Sequence, residues 1–322
     1  MPRYILAVLA ALFFANASHA ADDWPTKQIT LVVGFAAGGN TDLAARILAN
    51  SMKQSLSVPV VVENKAGAGG TVGAAFVSKA AADGSIFLVA SQSETTMLKA
   101  NRANPRYDID KDLVPIAKLM DQDYVLVIPA SLGIKSWSEF LSHAKSQGSL
   151  SYATAGVGTT AHVLSERLVS AIGVKGVHVP YQGASSFRTD LVSGRVDFSI
   201  DVIPLSQPFI TDGRLRAVAI TQKGQDARLP GVPSLVELGV FPQQYAGWTG
   251  LFAPKGTPPE VRAKALALVG RMLGSAGGEE IRKSGYRPAA ADQGPEDFGR
   301  FVASDQKLWL TTFQQLGIPP LP

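Results

Sequence analysis

The sequence predicts an α/β protein of two domains, and three observations lead to that prediction. Apolar segments of strand length alternate with amphipathic helical segments along most of the chain. The alternation runs twice, from residue 29 to about residue 120 and from residue 151 to about residue 221. The 322 residues also exceed what one hydrophobic core usually contains. We therefore expect two mainly parallel sheets, each flanked by helices.

The elements follow from hydrophobic patterning. Apolar runs predict strands at residues 29–33, 60–63, 86–90, 151–155, 176–181, 196–201 and 215–221. Amphipathic segments predict helices at residues 42–54, 72–81, 137–146, 161–172 and 185–192. A proline-led turn at residues 258–260 begins another helix, and residues 295–316 are expected to form the last one.

Two extended, nearly uncharged segments suit a hinge between the domains. They occupy residues 124–129 and 248–254, and each ends in a proline. We predict that these segments cross between the domains as strands. The first domain is then expected to comprise residues 21–122 together with 250–322, and the second domain residues 123–249.

The N-terminal segment has the composition of a secretory signal peptide. Arg3 precedes an apolar run at residues 5–14, and Ser18 and Ala20 supply the small residues that signal peptidase needs. The run is shorter than the roughly 20 residues of a membrane span. We expect residues 1–20 to be removed by cleavage near Ala20, which leaves an exported protein.

The composition excludes several classes of site. The chain has no cysteine, which excludes disulfides, thiolate catalysis and cysteine–zinc sites. Its 30 Lys and Arg residues, against 26 Asp and Glu, are scattered, so nucleic acid is not an expected partner. The four histidines show no metal-ligand spacing. We therefore expect neither a metal nor a cofactor.

Two glycine-rich loops each follow a predicted strand and begin a predicted helix. The first loop is residues 34–42 (GFAAGGNTD), and the second loop is residues 155–162 (AGVGTTAH). Each loop would direct unpaired backbone N–H groups and the positive end of a helix dipole at one point. Two such loops facing each other predict a site for an anion as small as a carboxylate.

Neither loop matches a nucleotide site. The first loop lacks the P-loop lysine, because Asn40 occupies that position. The second loop fits G-x-G-x-x-G/A, but the strand after it ends in Tyr181 and Gln182 instead of an acidic residue that would hold a ribose. The hydroxyls of Thr159 and Thr160 suit a small ligand better.

Other polar residues have both structural and functional interpretations. Asp201 ends a predicted strand, where ligands collect in α/β proteins. Asp42 lies in the first turn of its helix, where capping accounts for it. A hydrolase set of Ser185, His162 and Asp201 lacks a nucleophile elbow, because residues 183–187 (GASSF) have no closing glycine. A third glycine-rich segment, residues 67–73, is either a flexible connection or a ligand contact.

Five motifs in order resemble the Bug-type solute receptors of tripartite tricarboxylate transporters. They are residues 35–42 (FAAGGNTD), 62–70 (VENKAGAGG), 82–84 (ADG), 179–183 (VPYQG) and 251–258 (LFAPKGTP). The resemblance covers essentially the whole mature chain. It implies a periplasmic binding protein of the type II, flytrap kind, whose two domains close over a small carboxylated solute and deliver it to membrane permease subunits.

The resemblance also implies ligand-binding roles for particular residues, and Asp201 falls where receptors of this family for amino acids hold the ammonium group. The complete predicted set is Phe35, Ala37, Gly38, Asn40, Asp42, Ser91, Gln92, Ala155, Gly158, Thr159, Thr160, His162, Tyr181 and Asp201.

The first loop departs from the family pattern. Gly34, Ala36 and Ala37 stand where prolines usually surround the phenylalanine, which loosens the loop and widens the expected pocket. Neither loop contains an arginine, which favours one or two carboxylates over citrate and leaves aromatic acids and amino acids open. We expect a monomeric, non-enzymatic receptor. A sensory receptor that docks on a membrane kinase and a periplasmic enzyme acting on carboxylates are the alternatives.

Overall fold

The computed structural model describes residues 24–103, 105–182 and 184–317. The predicted signal peptide at residues 1–20, with its cleavage near Ala20, lies outside the described residues. Within the three described ranges, no helix is both long enough and hydrophobic enough to span a membrane.

The strands and helices alternate through most of the described chain. The strands are β1 (Ile29–Val33), β2 (Val60–Asn64), β3 (Ile86–Ser91), β4 (Leu113–Pro129), β5 (Ser149–Thr154), β6 (Lys175–Pro180), β7 (Ser199–Val202), β8 (Leu215–Ile220), β9 (Ala246–Pro254) and β10 (Arg287–Pro288). The helices are α1 (Asn40–Ser55), α2 (Thr71–Val77), α3 (Leu98–Asn101), α4 (Ile109–Asp112), α5 (Trp137–Gln147), α6 (Thr160–Ile172), α7 (Ala184–Val192), α8 (Ile203–Thr211), α9 (Pro259–Leu273), α10 (Ala276–Lys283) and α11 (Asp297–Leu316).

The first sheet has the strand order β10-β4-β9-β3-β1-β2. β1 pairs in parallel with β2 and β3, whereas β9 runs antiparallel to both β3 and β4. Side chains of β1 point alternately to its two faces. Leu31 and Val33 join a core cluster with Ile47 of α1, and Val32 joins a second cluster with Ala74 of α2. The sheet is therefore buried on both faces, as its apolar sequence predicts.

The second sheet shares β4 with the first. Residues 113–123 of β4 pair with β9, and residues 124–129 pair with β7 and β8, both antiparallel. β5 and β6 form a parallel pair, and a single bridge from Tyr152 to Phe198 links β5 to the segment before β7. β4 thus changes partners between Asp123 and Tyr124, which makes this point the first crossing between the sheets.

The second connection enters the first sheet at the start of β9. β9 pairs with β4 from Ala246 onward, and its later residues also pair with β3. Just before it, the N–H of Tyr245 donates to the carbonyl of Thr221, whose own N–H donates to the carbonyl of Tyr124. The two connections therefore lie side by side, and the predicted boundary at residue 250 falls inside β9. The division into domains stays a prediction.

The sequence prediction misplaced one strand and missed the helix after it. The predicted strand at residues 196–201 begins only at Ser199, and α8 follows it directly. Pro204 lies in the first turn of α8, where a missing N–H has no cost, and Pro208 lies within the helix. The sequence pattern did not indicate this helix, because its segment is apolar and contains two prolines.

Candidate functional site

A cavity of about 60 Å³ lies between the first loop and the second loop. The first loop enters α1 through Gly38, which has φ +83°, and Gly39 at the N-cap. The second loop enters α6 through Thr159 at the N-cap. The leading N–H groups of each helix have no acceptor within the helix. Two helix N-termini from opposite sides therefore meet at one cavity, as the two loops predict.

The third glycine-rich segment packs tightly against the first loop. A Cβ atom added to Gly34 would lie 2.3 Å from the carbonyl oxygen of Gly70, so only glycine fits at residue 34. The same segment reaches the second loop, because a Cβ atom on Gly69 would lie 2.7 Å from the carbonyl oxygen of Val157. Gly69, Gly70 and Val157 also line a neighbouring cavity of about 220 Å³. The segment thus contacts both the first loop and the second loop.

Asp42 holds the first loop in shape. Its buried carboxylate accepts hydrogen bonds from the Gly38 N–H at 3.0 Å, the Asn64 amide at 3.0 Å and the Arg46 guanidinium at 2.8 Å. Burial acts to raise the pKa of Asp42, but these three partners hold it below its ordinary value. Since all three partners are protein groups and Asp42 does not line the cavity, its role is to position the loop.

His162 holds the second loop in a similar way. Its Nδ1 accepts a hydrogen bond from the Gly158 N–H at 3.1 Å, so the imidazole is the tautomer protonated at Nε2. The ring stacks on His178 with centroids 4.0 Å apart, and Thr154 Oγ1 lies 2.7 Å from His178 Nε2. Burial lowers the pKa of His162, and burial together with the repulsion that a protonated His162 would exert lowers the pKa of His178 to about 3. Both rings are therefore neutral at pH 7.

A chain of hydrogen bonds runs beneath the cavity from one loop to the other. The Asn40 amide donates to Gln122 Oε1 at 2.6 Å, and Gln122 Nε2 donates to the Tyr124 hydroxyl at 3.3 Å. Burial raises the pKa of Tyr124 to about 12, although hydrogen bonds from Gln122 and Thr160 act to lower it. Gln122 and Tyr124 lie where β4 crosses between the sheets, so the crossing strand connects the starts of α1 and α6.

The end of β3 contributes two hydroxyls to the cavity. Ser91 and Ser93 both line it, and both side chains are more than nine-tenths buried. Gln92, between them, is fully buried and does not line the cavity. Its amide oxygen accepts the Trp248 N–H at 2.9 Å, and its amide nitrogen donates to the Ala246 carbonyl at 3.2 Å. Gln92 therefore fixes β9 to β3.

Asp201 lines the cavity but is already paired. Arg188 contacts its carboxylate through Nε at 3.1 Å and through a terminal nitrogen at 3.0 Å, and both side chains are buried. The Ser206 hydroxyl donates to the same carboxylate at 2.7 Å, and the Val202 N–H donates at 2.8 Å. Its acceptor positions are thus filled by protein donors.

Tyr181 lies outside the main cavity. It lines the neighbouring cavity together with Gln182, and its hydroxyl donates to Asp190 at 2.7 Å. Phe35 and Ala155 line both cavities, so these two residues form the partition between them.

The predicted residues therefore divide into two groups. Those that line the main cavity are Phe35, Asn40, Ser91, Ala155, Thr159, Thr160 and Asp201. Those that do not are Ala37, Gly38, Asp42, Gln92, Gly158, His162 and Tyr181. Contact with a ligand stays a prediction for every residue of the set.

Several residues of the lining are not among the predicted site residues. They include Thr41, Ser93, Gln122, Tyr124, Ala161 and Phe187. Thr41 and Ala161 could have been predicted from the helix starts, because each is the second residue of its helix and also presents a free N–H. Gln122 is a polar residue beside the nearly uncharged segment of the predicted hinge, and this position is the sequence signal that points to it.

Comparison with known proteins gives the family. A family model described as "Tripartite tricarboxylate transporter family receptor" (TctC) matches residues 44–318. The chain belongs to this family. The receptor is 33% identical over 327 residues to protein BugT of Bordetella pertussis (strain Tohama I), and the alignment covers 97% of each chain. The Bug-type resemblance of the five motifs is confirmed.

Solved structures share the fold of the receptor. The periplasmic binding protein BugD matches with a TM-score of 0.87 and 31% identity, over 92% of this chain and 100% of BugD. Rpa4515 of R. palustris with adipate matches with a TM-score of 0.86 and 32% identity, over 93% and 100%. MatC (Rpa3494) from Rhodopseudomonas palustris with bound malate matches with a TM-score of 0.84 and 32% identity, over 90% and 100%. The predicted fold class is confirmed, and the receptor is a periplasmic solute-binding protein.

Proposed function

We propose that the receptor captures a small solute with one or two carboxylates between the first loop and the second loop, and that it delivers this solute to the permease subunits of a tripartite tricarboxylate transporter. One observation carries the proposal. The N-termini of α1 and α6, which belong to opposite sides of the molecule, face a single cavity. Helix N-termini attract anions through their free N–H groups and their dipoles.

The donors at the cavity suit a carboxylate of low charge. Asn40, Thr41 and Ala161 offer backbone N–H groups at the two helix starts, and hydroxyls lie among them. Within the described ranges, no lysine or arginine lines the cavity. Each helix end provides about half an elementary charge. Two helix ends therefore balance one or two carboxylates better than the three of citrate.

The size of the cavity supports a compact solute. A volume of about 60 Å³ has room for several water molecules. Rpa4515, a structural neighbour of the receptor, contains adipate, and MatC contains malate. Both molecules are dicarboxylates without an amino group, which agrees with the donors at this site.

The pairing of Asp201 argues against amino acids as solutes. A ligand ammonium group needs a carboxylate with free acceptor positions, whereas Arg188, Ser206 and Val202 donate to those of Asp201. Binding an ammonium there would require Arg188 to move out of a buried ion pair, which is unfavourable. The cavity therefore selects solutes without a positive charge.

Closure of the two domains provides the mechanism of capture. β4 and the segment before β9 form the connections, and the N–H of Thr160 meets the hydroxyl of Ser93 across the cavity at 3.3 Å. A bound carboxylate would contact both loops and so favour this closed arrangement. We further propose that residues 1–20 are a cleaved export signal and that the mature receptor acts in the periplasm.

Thermal unfolding of the refolded receptor against a panel of acids tests this proposal. The panel contains acetate, malate, adipate, citrate, benzoate and aspartate, and refolding removes any bound solute. A ligand at 100 times its Kd adds about 2.7 kcal/mol, a rise of a few degrees in Tm. We expect malate or adipate to raise Tm and citrate and aspartate to leave it unchanged. The absence of a shift with any carboxylate, or consumption of the bound acid, would contradict the proposal.

A further inference from the structure

Glu94 is a fully buried carboxyl group that touches the lining of the cavity. It has no solvent exposure, and it lies just after β3. Its Oε2 accepts a hydrogen bond from the Ser91 hydroxyl at 2.6 Å, and its Oε1 accepts the Ser91 N–H at 2.9 Å. Because Ser91 lines the cavity, Glu94 acts on the site through this one residue.

The surroundings of Glu94 offer no countercharge. In the part of the chain that the structure describes, Glu94 makes no ion pair. A Cβ atom on Gly70 would lie 2.8 Å from its carboxyl carbon, so the backbone of the third glycine-rich segment encloses the group. The Tyr107 hydroxyl donates to the backbone carbonyl of Glu94 rather than to its carboxyl group. Burial consequently raises the pKa of Glu94 to about 7.

The other ionisable groups near Glu94 have partners elsewhere. Arg102 donates to the carbonyl of Ala68 at 3.1 Å. Asp305 of α11 accepts hydrogen bonds from the Thr96 hydroxyl and from the Trp248 indole, and its own pKa is raised by burial. A negative charge on Glu94 is therefore stabilised by the two hydrogen bonds from Ser91 and by its own backbone N–H.

The protonation of Glu94 decides what Ser91 presents to the cavity. A serine hydroxyl has one proton to donate and two positions that accept. The Ser93 N–H occupies one accepting position at 3.3 Å. When Glu94 is ionised, the Ser91 proton is used by Glu94, and a lone pair is left toward the cavity. When Glu94 is protonated, it can donate to Ser91, and the Ser91 proton becomes available to a ligand.

We propose that Glu94 is a positioning residue that takes up a proton as the receptor binds its carboxylate solute, so that Ser91 turns from an acceptor into a donor. The proposal rests on the proposed function, because it requires an anion in this cavity. Two effects act in the same direction. Protonation removes a buried negative charge next to the anion, and it supplies one more hydrogen bond to it.

Linkage gives the expected dependence of affinity on pH. A ligand that prefers protonated Glu94 raises the pKa of Glu94 in the complex. Below a pH of about 7 the free receptor is already protonated, and the Kd is lowest there. As the pH rises above that value, the Kd increases by up to about tenfold per pH unit, until the complex also loses its proton.

Isothermal titration calorimetry with malate and adipate between pH 6 and pH 9 tests the proposal. Both acids are fully ionised above about pH 6.5, so the titrating group belongs to the protein. Titrations in buffers of different ionisation enthalpy count the protons bound. We expect uptake of up to one proton per ligand near pH 8 and a Kd at least tenfold higher at pH 9 than at pH 6.5.

Variants separate Glu94 from other buried carboxyl groups. Glu94→Gln keeps the shape and can donate to Ser91 at every pH, so its Kd should match the low-pH wild-type value and lose the pH dependence. Ser91→Ala should weaken binding at pH 6.5 by about tenfold and much less at pH 9. Asp305→Asn, the matched control, removes a buried carboxyl group that bonds to no lining residue and should keep the wild-type pH dependence.

The outcomes distinguish this proposal from the proposed function. Binding of malate or adipate with a Kd independent of pH and no proton uptake would overturn the role of Glu94 and leave the proposed function intact. The role of Glu94 would also be overturned if the pH dependence of the Kd persisted in Glu94→Gln and disappeared in Asp305→Asn. Binding of neither acid at any pH would overturn both.

Discussion

The backbone N–H of Thr160 donates a hydrogen bond to the side-chain hydroxyl of Ser93 at 3.3 Å, and both residues line the cavity. Thr160 is the first residue of α6, and Ser93 follows β3 of the first sheet. Opening of the cavity would separate the two groups and break this bond. Ser93 also donates its own N–H to Ser91, so closure and the hydroxyl next to Glu94 share one set of contacts.

Ser93→Ala is expected to weaken solute binding by favouring the open form. The change removes one hydrogen bond of the closed form, worth about 1 kcal/mol, which corresponds to a Kd about fivefold higher. Calorimetric titration with the carboxylate that raises Tm measures the effect. Ser78→Ala, which removes a hydroxyl bonded to the Ala75 carbonyl away from the cavity, is the control. An unchanged Kd in Ser93→Ala would show that this contact does not contribute to closure.

Asp42→Asn is expected to destabilise the first loop. The change removes the charge that holds the Gly38 N–H and Arg46, at an expected cost of about 1–2 kcal/mol in the free energy of unfolding. Because the folded-state pKa of Asp42 is lowered, this stability is present above pH 4 and disappears as the pH falls through the lowered pKa. Urea unfolding at pH 7 and pH 3 measures it. An equal difference between wild type and variant at the two pH values would contradict this account.

The stacked histidines are expected to make the receptor less stable in mild acid. The pKa of His178 is lower in the folded state than in the unfolded state, so stability is complete above about pH 6.5 and decreases as the pH falls. His178→Phe keeps the stack on Tyr152 and His162 without a titrating group, and should reduce the loss between pH 7 and pH 5. Urea unfolding across this range measures it, with His143→Gln as control. The same loss in His178→Phe as in wild type would exclude His178 as the cause.

The Arg188 and Asp201 pair is expected to be strongly coupled. Arg188→Met leaves a buried carboxylate without its cation and should cost about 3–5 kcal/mol. The double variant Arg188→Met with Asp201→Asn removes the charge as well and should recover most of that loss. Urea unfolding of the two single variants and the double variant gives the coupling energy. Additive effects would mean that the pair is not a unit in the folded protein.

Local patterns made the fold and the two loops predictable. Glycines between an apolar strand and an amphipathic segment specify a helix start, and the helices predicted from residues 42 and 161 begin slightly earlier, at Asn40 and Thr160. The same patterns gave β1 its bounds, because a buried parallel strand is a continuous apolar run.

Contacts between distant residues could not be predicted in this way. From the sequence alone Asp201 is expected to be a free carboxylate, because no sequence pattern indicates that Arg188 pairs with it. Gln92 follows a strand that leads to the cavity, yet its amide bonds to β9, about 150 residues further along the chain. The direction of a side chain at the end of a strand depends on its tertiary neighbours, and hydrophobic periodicity carries no information about them.

A crystal structure of the refolded receptor with malate or adipate would locate the bound carboxylate. We expect one ligand carboxylate between the N–H groups of Asn40 and Thr41 on one side and that of Ala161 on the other, with Arg188 still bound to Asp201. A ligand held elsewhere, for example in the cavity beside Trp24, or a carboxylate paired with a displaced Arg188, would contradict it.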